Sequence, residues 1–398
     1  MSLADTAQDL EGFSAEGLDR IDELLKGAIA DGEIAGVAWQ VARHGRVVRK
    51  AWHGLKTIAE NAPVAEDTIF RIYSMTKPVT AAAMMILHDQ GLWKPEDPIA
   101  KHLPEFADVK GPGGAAPAHA PTLAELMTHT AGFGYGIGPG PHDAADKALI
   151  DAGIWQADSL AEFSRRVASV PLAYQPGATF RYSLSMDLQG AIIERLTGET
   201  LPDFMRTRLF EPLGMVDTGF YLPEAKLPRL ATVYHKYGFP TLTELNMPGY
   251  IRDPKTPPAI ASGGGGLYAT LADYGRFAQM LLNRGELDGA RIISPEAFAQ
   301  MTANHLSQAI IDQRPLNGFQ RILPGRGYAY NGAVYYDPAL AGMPVGRGTY
   351  QWDGAAGVWF WIDPENDVAF VGMIQRMLQE GMPRLQELTQ KLVAEALA

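Results

Sequence analysis

A serine and a lysine three residues apart, Ser74 and Lys77, have the clearest chemical potential in this sequence. Residues at this spacing share one face of a helix, with their Cβ atoms about 5–6 Å apart. Pro78 is tolerated only near the start of a helix, so it predicts a helix N-terminus close to Ser74. The apolar stretch 75–90 predicts that this helix is buried and ends before Gly91. The pattern therefore predicts a hydroxyl and an amine at the positive end of a buried helix, where a developing anion is stabilised.

The pair alone also fits a structural interpretation, in which Ser74 caps the helix and Lys77 is solvated. Catalysis requires more, because a serine hydroxyl is a poor nucleophile without a base within about 3 Å. Lysine has an ordinary pKa of about 10.4, so it becomes such a base only where burial or a neighbouring cation lowers its pKa. Two further stretches could complete the reaction centre: residues 182–184 (Tyr-Ser-Leu) and 352–355 (Trp-Asp-Gly-Ala).

Together these stretches resemble the serine hydrolases of the class C β-lactamase and penicillin-binding-protein group, whose signature is Ser-x-x-Lys. Three more stretches agree with that group in the same order: residues 126–132 (LMTHTAG), 210–215 (FEPLGM) and 262–267 (SGGGGL). The resemblance is greatest to the ester-hydrolysing branch, often called family VIII carboxylesterases. It implies a β-lactamase-like α/β fold with the active site in a cleft between two lobes.

The resemblance also implies a role for each residue. Ser74 is the nucleophile, and Lys77 and Tyr182 share the roles of general base and general acid. Which of the two is the formal base stays open, because a coupled pair need not have a single answer. The backbone N–H groups of Ser74 and Ala355 would form the oxyanion hole, and Gly354 would let a substrate approach the strand closely. The alternative for Tyr182 is an ordinary core aromatic residue.

Two departures from the β-lactam-processing relatives bear on the substrate. Where those relatives have Asn after the Tyr-Ser pair, this chain has Leu184, and where they have Lys-Thr-Gly it has Trp352 at the first position. Leu184 cannot bind an amide, and Trp352 offers an apolar face with one N–H donor. We therefore expect Trp352, Gly354, Leu184 and Tyr135 to contact the substrate, and a neutral ester to be preferred over a charged β-lactam.

The sequence thus predicts a serine carboxylesterase that hydrolyses short- to medium-chain acyl esters through an acyl-enzyme on Ser74. The alternatives are a β-lactamase, D-amino-acid peptidase or amidase on the same site, and an acyltransferase that passes the acyl group to an alcohol or amine. A binding module without catalysis is disfavoured, because Ser74, Lys77 and Tyr182 are all present.

Composition narrows the partners and the location. The net charge of −11 and the pI of about 5.3 argue against a nucleic-acid partner. No apolar run is long enough for a membrane span, and the N-terminus is polar and acidic, so we expect a cytoplasmic protein. The absence of cysteine excludes disulfides and thiolate nucleophiles. We expect a small-molecule ester as the partner, no cofactor, and a monomer or homodimer.

Hydrophobic periodicity places strands near both ends of the chain and helices in the middle. It predicts a helix over 15–31, a hairpin over 36–53, strands over 357–362 and 368–375, and a last helix over 383–397. Helical stretches are predicted at 159–170, 185–197, 200–211 and 271–283. We therefore expect one antiparallel sheet covered by the terminal helices, in a domain formed by residues 1–105 and 265–398. Residues 106–264 would form a mainly helical domain.

Several residues fit other chemistry less well. There is no Gly-x-Ser-x-Gly stretch to pair with His129, which we expect to fix a loop by hydrogen bonding. The glycines at 263–266 are not followed by Lys-Ser/Thr, so they predict a packed turn rather than a phosphate loop. Three other histidines lack metal-ligand spacing, so no metal is expected: His102, His119 and His142. The loops over 110–142 and 235–260 are expected to shape the pocket.

Overall fold

The two ends of the chain meet in one antiparallel sheet of eight strands, as the sequence predicted. The computed structural model describes residues 9–137, 143–247, 251–317, 320–379, 382 and 384–397. In it, the C-terminal strands form one side of the sheet and the N-terminal hairpin the other. The strand near residue 370 pairs with the strand near residue 40 at the junction, with Ala38 opposite Met373.

Strands occur throughout the described residues, and many of them are short. They are β1 (Gly36–Arg43), β2 (Arg46–Thr57), β3 (Ala62–Pro63), β4 (Ile69–Arg71), β5 (Tyr234–His235), β6 (Thr243–Glu244), β7 (Tyr268–Thr270), β8 (Glu286–Leu287), β9 (Ala290–Arg291), β10 (Leu316–Asn317), β11 (Gln320–Arg321), β12 (Arg326–Tyr328), β13 (Ala333–Tyr335), β14 (Thr349–Asp353), β15 (Trp359–Asp363) and β16 (Val368–Met373). The main sheet has the order β12-β13-β14-β15-β16-β1-β2-β3, and β4 pairs with β7 outside it.

Helices cover the sheet and fill the middle of the chain. They are α1 (Ala15–Ala30), α2 (Thr76–Asp89), α3 (Ile99–His102), α4 (Leu123–Met127), α5 (Ala144–Asp151), α6 (Leu160–Ala168), α7 (Ser185–Thr197), α8 (Leu201–Met205), α9 (Glu211–Leu213), α10 (Leu271–Leu282), α11 (Pro295–Thr302), α12 (Gln308–Asp312) and α13 (Leu385–Leu397). The predicted helix over 200–211 is divided, because a π-helical turn, Arg206–Phe210, separates α8 from α9.

The terminal helices α1 and α13 pack together on one face of the sheet. Their apolar residues form one cluster with side chains of β1, β15 and β16. Gly17 marks the closest approach of the two helices, because a Cβ there would lie 2.4 Å from the Cβ of Ala396. Helix α10 covers the other face of the sheet, where Tyr274 and Phe277 contact Phe360 of β15. The sheet is therefore buried on both faces, which explains its continuous apolar strands.

Helix α2 is the element that the serine–lysine pattern predicted. It begins at Thr76, directly after a 3₁₀ turn over Tyr73–Met75, and ends at Asp89. Every residue from Thr76 to Leu87 is buried. Gly91, just beyond the helix, has a φ of +71°, in the left-handed region that favours glycine. The fold therefore buries α2 in the molecular core and leaves Ser74 on the turn that precedes it.

Candidate active site

Ser74, Lys77 and Tyr182 lie together although 108 residues separate the serine from the tyrosine. The hydroxyl of Tyr182 donates to the Oγ of Ser74 over 2.9 Å, and the Nζ of Lys77 donates to the same Oγ over 3.1 Å. The Nζ of Lys77 also donates to the carbonyl oxygen of Gly264 over 2.6 Å. The serine hydroxyl thus contacts two groups that can move a proton, both at hydrogen-bonding distance.

The turn that carries Ser74 is held in a strained conformation. Tyr73, the preceding residue, has a φ of +42°, which is uncommon for a residue with a side chain. Three hydrogen bonds hold the segment around this turn: Ile72 N–H to Leu267 O, Leu267 N–H to Thr76 Oγ1, and Tyr274 Oη–H to Met75 O. These contacts fix the segment from both sides and keep the Ser74 side chain at the end of α2.

Lys77 has the environment that a neutral lysine base requires. Its side chain is fully buried, and this burial lowers the pKa of the amine from 10.5 to about 7. The carboxylates of Asp187 and Asp353 act in the opposite direction but only partly offset the burial. The amine also lies 4.6 Å from the centre of the Tyr182 ring. Near neutral pH a substantial fraction of Lys77 is therefore uncharged and able to accept a proton.

Tyr182 has the opposite shift. Burial raises the pKa of its hydroxyl well above the usual value of 10, and the nearby Tyr135 adds to this effect. The ring stacks on Trp352, with centroids 5.9 Å apart and planes at 28°, and it contacts Tyr135 edge to face. The hydroxyl is therefore a protonated donor at neutral pH, and aromatic packing fixes its direction towards Ser74.

His129 fixes the loop that leads to Tyr182, as the sequence predicted. Its Nδ1 accepts the backbone N–H of Ser183 over 3.1 Å and lies 2.9 Å from the Ser183 hydroxyl. Burial lowers the pKa of the imidazole well below 6.5, with a smaller contribution from Lys77, so the ring is neutral. A neutral ring accepts at Nδ1 and keeps its proton on Nε2. His129 thus positions Tyr182 through its neighbour in sequence.

The glycine-rich stretch over 262–266 is a packed turn, as expected, and it borders the nucleophile. The Oδ1 of the buried Asp187 accepts from the Ser262 hydroxyl at 2.5 Å and from the Gly264 N–H at 3.2 Å. A Cβ on Gly263 would lie 2.4 Å from the carbonyl oxygen of Met186, so only glycine fits there. Asp187 therefore holds the turn whose Gly264 carbonyl accepts from Lys77.

The hydroxyl of Ser74 faces a pocket of about 210 Å³. Ala355, which follows strand β14, lines the same pocket, as do Tyr182 and the turn over 262–266. Aromatic and apolar side chains from the middle of the chain form another part of the lining: Tyr135, Ile137 and Trp155. The backbone N–H groups of Ser74 and Ala355 thus belong to residues that border one cavity, and their role as an oxyanion hole stays a prediction.

The structure buries three of the four residues that were expected to contact the substrate: Leu184, Trp352 and Gly354. Leu184 directly precedes α7, and its side chain is fully buried in the main apolar core, where it cannot reach the substrate. Trp352 is 6% exposed and stacks on Tyr182, and it is not among the described residues that line the 210 Å³ pocket, so its contact with the substrate stays a prediction. Gly354 serves packing, because a Cβ there would lie 2.4 Å from the carbonyl oxygen of Ile72. Tyr135 does line the pocket.

The pocket also contains residues that the sequence argument missed. Four of them come from the segment before Ser74 and from residues near 250–270: Arg71, Tyr73, Arg252 and Tyr268. Arg71 and Tyr268 face each other across the β4–β7 pair. A single arginine at the end of a three-residue strand carries no recognisable pattern, so no sequence signal identified it. The two loops expected to shape the pocket do contribute, through Tyr135 and Arg252. Residues 138–142 and 248–250 of these loops, with His142 among them, lie outside the described residues.

The described part of the chain contains no group of three or more acidic and histidine side chains that could hold a metal ion. Likewise, none of its helices has both the length and the hydropathy needed to cross a membrane.

Comparison with known proteins identifies the class of protein. The family profile described as Beta-lactamase matches residues 21–394. The chain is 33% identical over 378 residues to "Esterase EstB" of Burkholderia gladioli, covering 91% of each protein. It is 35% identical over 362 residues to "Protein Rv1367c" of Mycobacterium tuberculosis, covering 86% of each. Among solved structures, "EstCE1, a hydrolase with promiscuous acyltransferase activity" aligns with a TM-score of 0.80 at 27% identity, covering 96% of this chain and 98% of that one.

This chain therefore belongs to the β-lactamase family, and it is a serine hydrolase. Its relatives include ester-hydrolysing members of the family, in agreement with the branch that the sequence resembles.

Proposed function

We propose that this protein is a carboxylesterase that hydrolyses short- to medium-chain acyl esters through an acyl-enzyme on Ser74. The observation that carries the proposal is the convergence of Lys77 and Tyr182 on the Ser74 hydroxyl, at 3.1 and 2.9 Å, at the wall of a pocket. The similarity to "Esterase EstB" over 91% of both chains supports an ester as the substrate.

We infer that Lys77 is the base and Tyr182 the acid. The Ser74 oxygen bonds to the ester carbonyl carbon while its proton moves to the neutral amine of Lys77, and the carbonyl oxygen becomes an anion. The backbone N–H groups of Ser74 and Ala355 would stabilise that anion. As the bond to the alcohol oxygen breaks, Tyr182 protonates the leaving alcohol and regains a proton from Lys77. Lys77 suits the first role because its pKa is about 7, whereas Tyr182 is protonated at neutral pH.

Deacylation repeats the same steps with water in place of the alcohol. Lys77 takes a proton from the water as its oxygen attacks the acyl carbon, and the bond to Ser74 breaks as the serine oxygen regains a proton. In the net balance, the proton that Ser74 gave up in the first half-reaction has left with the alcohol, and the water supplies the proton that Ser74 regains through Lys77 and Tyr182. The site thus returns to its starting state.

The substitution Ser74→Ala tests the proposal with 4-nitrophenyl butyrate as the substrate. We expect the wild-type protein to hydrolyse this ester and the variant to lose the activity by at least about a thousandfold, because no acyl-enzyme can form. Ser169→Ala is a matched control, since Ser169 is an exposed serine whose hydroxyl bonds only to the carbonyl oxygen of Arg166 among the described residues. A fluorophosphonate should add covalently to Ser74, as seen by peptide mass spectrometry. Hydrolysis by the Ser74→Ala variant at the wild-type rate would refute the proposal.

Acyl transfer is a second candidate for the same site. It is favoured by the similarity to "EstCE1, a hydrolase with promiscuous acyltransferase activity", which covers nearly the whole of both chains. The acyl-enzyme would then react with a second alcohol instead of water. Chromatography of products formed from 4-nitrophenyl butyrate in the presence of a primary alcohol would distinguish the two, because transfer yields the new ester and hydrolysis yields butyrate.

A further inference from the structure

Two arginines, Arg71 and Arg252, line the pocket into which Ser74 opens. The ion pairs of the described residues involve neither of them, although most other arginines there have an acidic partner. No aspartate or glutamate is among the described residues that line this pocket. The protein as a whole carries a net charge of −11. The pocket therefore presents positive charge within an acidic protein, and this local excess needs an explanation.

Arg71 is fixed at its backbone, and its side chain contacts and hydrogen-bonds Tyr268 without an acidic partner among the described residues. Gln375 clamps the backbone, because its Oε1 accepts the Arg71 N–H over 3.1 Å and its Nε2 donates to the Arg71 carbonyl oxygen over 3.0 Å. The guanidinium lies 5.5 Å from the centre of the Tyr268 ring. The Nε atom is buried and has no hydrogen-bond partner among the described residues. The guanidinium charge of Arg71 is therefore not neutralised by an acidic side chain of the described residues, and it would attract an anion in the pocket.

Arg252 acts on the same wall of the pocket. Burial raises the pKa of Tyr73 to about 12, and the charges of Arg71 and Arg252 both oppose that rise. The same two arginines oppose the rise that burial causes in the pKa of Tyr268. Both guanidinium groups are therefore close to the same pair of phenol rings. Two carboxylates lie near this wall without lining the pocket. Asp253 accepts from the Lys255 N–H and the Thr256 hydroxyl, and Asp187 accepts from Ser262 and Gly264.

We propose that the ester substrate carries a free carboxylate, which Arg71 and Arg252 bind beside the reacting carbonyl group. Guanidinium groups recognise carboxylates through paired, charge-assisted hydrogen bonds, which are stronger than neutral ones. The inference rests on the proposed esterase function and specifies its substrate as an anionic ester. It replaces the expectation of a neutral ester, which was based only on the residues at positions 184 and 352. The positive charge of the pocket comes from Arg71, in the strand before Ser74, and from Arg252.

Two matched pairs of esters test the proposal. In the first pair the carboxylate is on the alcohol: 4-(butyryloxy)benzoate against 4-(butyryloxy)benzamide. In the second it is on the acyl group: the mono-4-nitrophenyl ester of adipic acid against 4-nitrophenyl hexanoate. The measured quantity is the ratio of kcat/KM for the charged ester to that for its neutral partner, after correction for spontaneous hydrolysis. A ratio cancels any general loss of catalysis in a variant.

We expect a ratio above one for at least one pair in the wild-type protein. It should fall roughly tenfold or more in Arg71→Gln and in Arg252→Gln, mainly through KM of the charged ester. Arg165→Gln is the matched control, because Arg165 is exposed on α6 outside the pocket and should leave the ratio unchanged. In the wild-type protein alone, raising the NaCl concentration from about 0.02 to 0.5 M should lower the ratio through screening.

Ratios at or below one for both pairs would overturn the inference while hydrolysis of the neutral esters upheld the esterase proposal. The inference would also be overturned if neither arginine substitution changed the ratio, because the two side chains would then serve only to pack against Tyr73 and Tyr268. If no ester reacted and no fluorophosphonate adduct formed on Ser74, the esterase proposal would fail, and the anionic substrate with it.

Discussion

Replacing Lys77 with methionine should change how protein stability depends on pH, because the fold holds this amine in an environment that disfavours its charge. Methionine has a similar length and no charge, so its side chain can occupy the buried space that the Lys77 side chain fills. The lowering of the pKa from 10.5 to about 7 corresponds to roughly 5 kcal/mol, at about 1.4 kcal/mol per pH unit. Solvent does not screen this free energy, because the Lys77 side chain is fully buried.

The direction follows from the protons bound in each state. Between pH 7 and 10.5 the unfolded chain keeps a proton on Lys77 that the folded protein has released, so raising the pH favours folding. Below pH 7 Lys77 is protonated in both states, and burying its charge destabilises the folded protein by the full amount. Above pH 10.5 Lys77 is neutral in both states, and this destabilisation is absent. The Lys77→Met variant lacks this group altogether. The free energy of unfolding of the wild type minus that of the variant should therefore rise by about 3 kcal/mol from pH 6 to pH 9.

Urea unfolding of both proteins at pH 6, 7, 8 and 9 measures that difference, and titrating groups that do not interact with Lys77 cancel between them. The variant also removes the donor to Ser74 and Gly264, which costs about 1–3 kcal/mol for each acceptor left unsatisfied, but that cost does not vary with pH. Lys391→Met on α13 is the control, because Lys391 is exposed and its removal should leave the pH dependence unchanged. A difference that stays constant from pH 6 to 9 would refute the reasoning that Lys77 is neutral near pH 7.

Three further outcomes are expected. For a neutral ester, kcat/KM should rise to a plateau with a half-maximum near pH 7 as Lys77 loses its proton; a profile still rising at pH 9 would contradict the lowered pKa. Tyr182→Phe should lower kcat by about a hundredfold or more and leave thermal unfolding nearly unchanged, because the ring still stacks on Trp352; a smaller loss would exclude Tyr182 as the acid. Gly354→Ala should lower the free energy of unfolding in urea by about 1–3 kcal/mol, because the new Cβ would meet the Ile72 carbonyl oxygen. Gly27→Ala in α1 is the control, because a Cβ there has open space and should be neutral or stabilising. Equal effects of the two glycine substitutions would argue against a close contact at Gly354.

Much of the fold follows from local pattern in the sequence. The hairpin of β1 and β2, the terminal helices and α2 are long or strongly periodic, so apolar spacing and turn residues identify them. The strands β12 and β13 were not predicted, because each has three residues and its place in the sheet depends on pairing with β14. The division of the chain into two domains at residues 105 and 265 stays a prediction.

The candidate site could be predicted where a residue type carries the chemistry by itself. Ser74, Lys77 and Tyr182 have reactive groups, and their stretches are recognisable. Leu184 was assigned to the substrate from its position beside Tyr182, but the direction of its side chain depends on how the start of α7 packs into the core. Arg71 could not be predicted for the opposite reason. Its place in the pocket wall depends on the pairing of β4 with β7, two strands that lie far apart in the sequence.

The pairing of β1 with β16 has a consequence for how the protein is made. Strand β1 lies near residue 40 and its partner near residue 370, so the ribosome must add more than three hundred residues before the centre of the sheet can close. Ala355, the proposed second donor to the oxyanion, is also translated late. The nascent chain therefore carries its nucleophile for most of its synthesis without a finished site. Hydrolytic activity should arise only when translation is nearly complete, and until then the edge of β1 that pairs with β16 stays open to pairing with other chains.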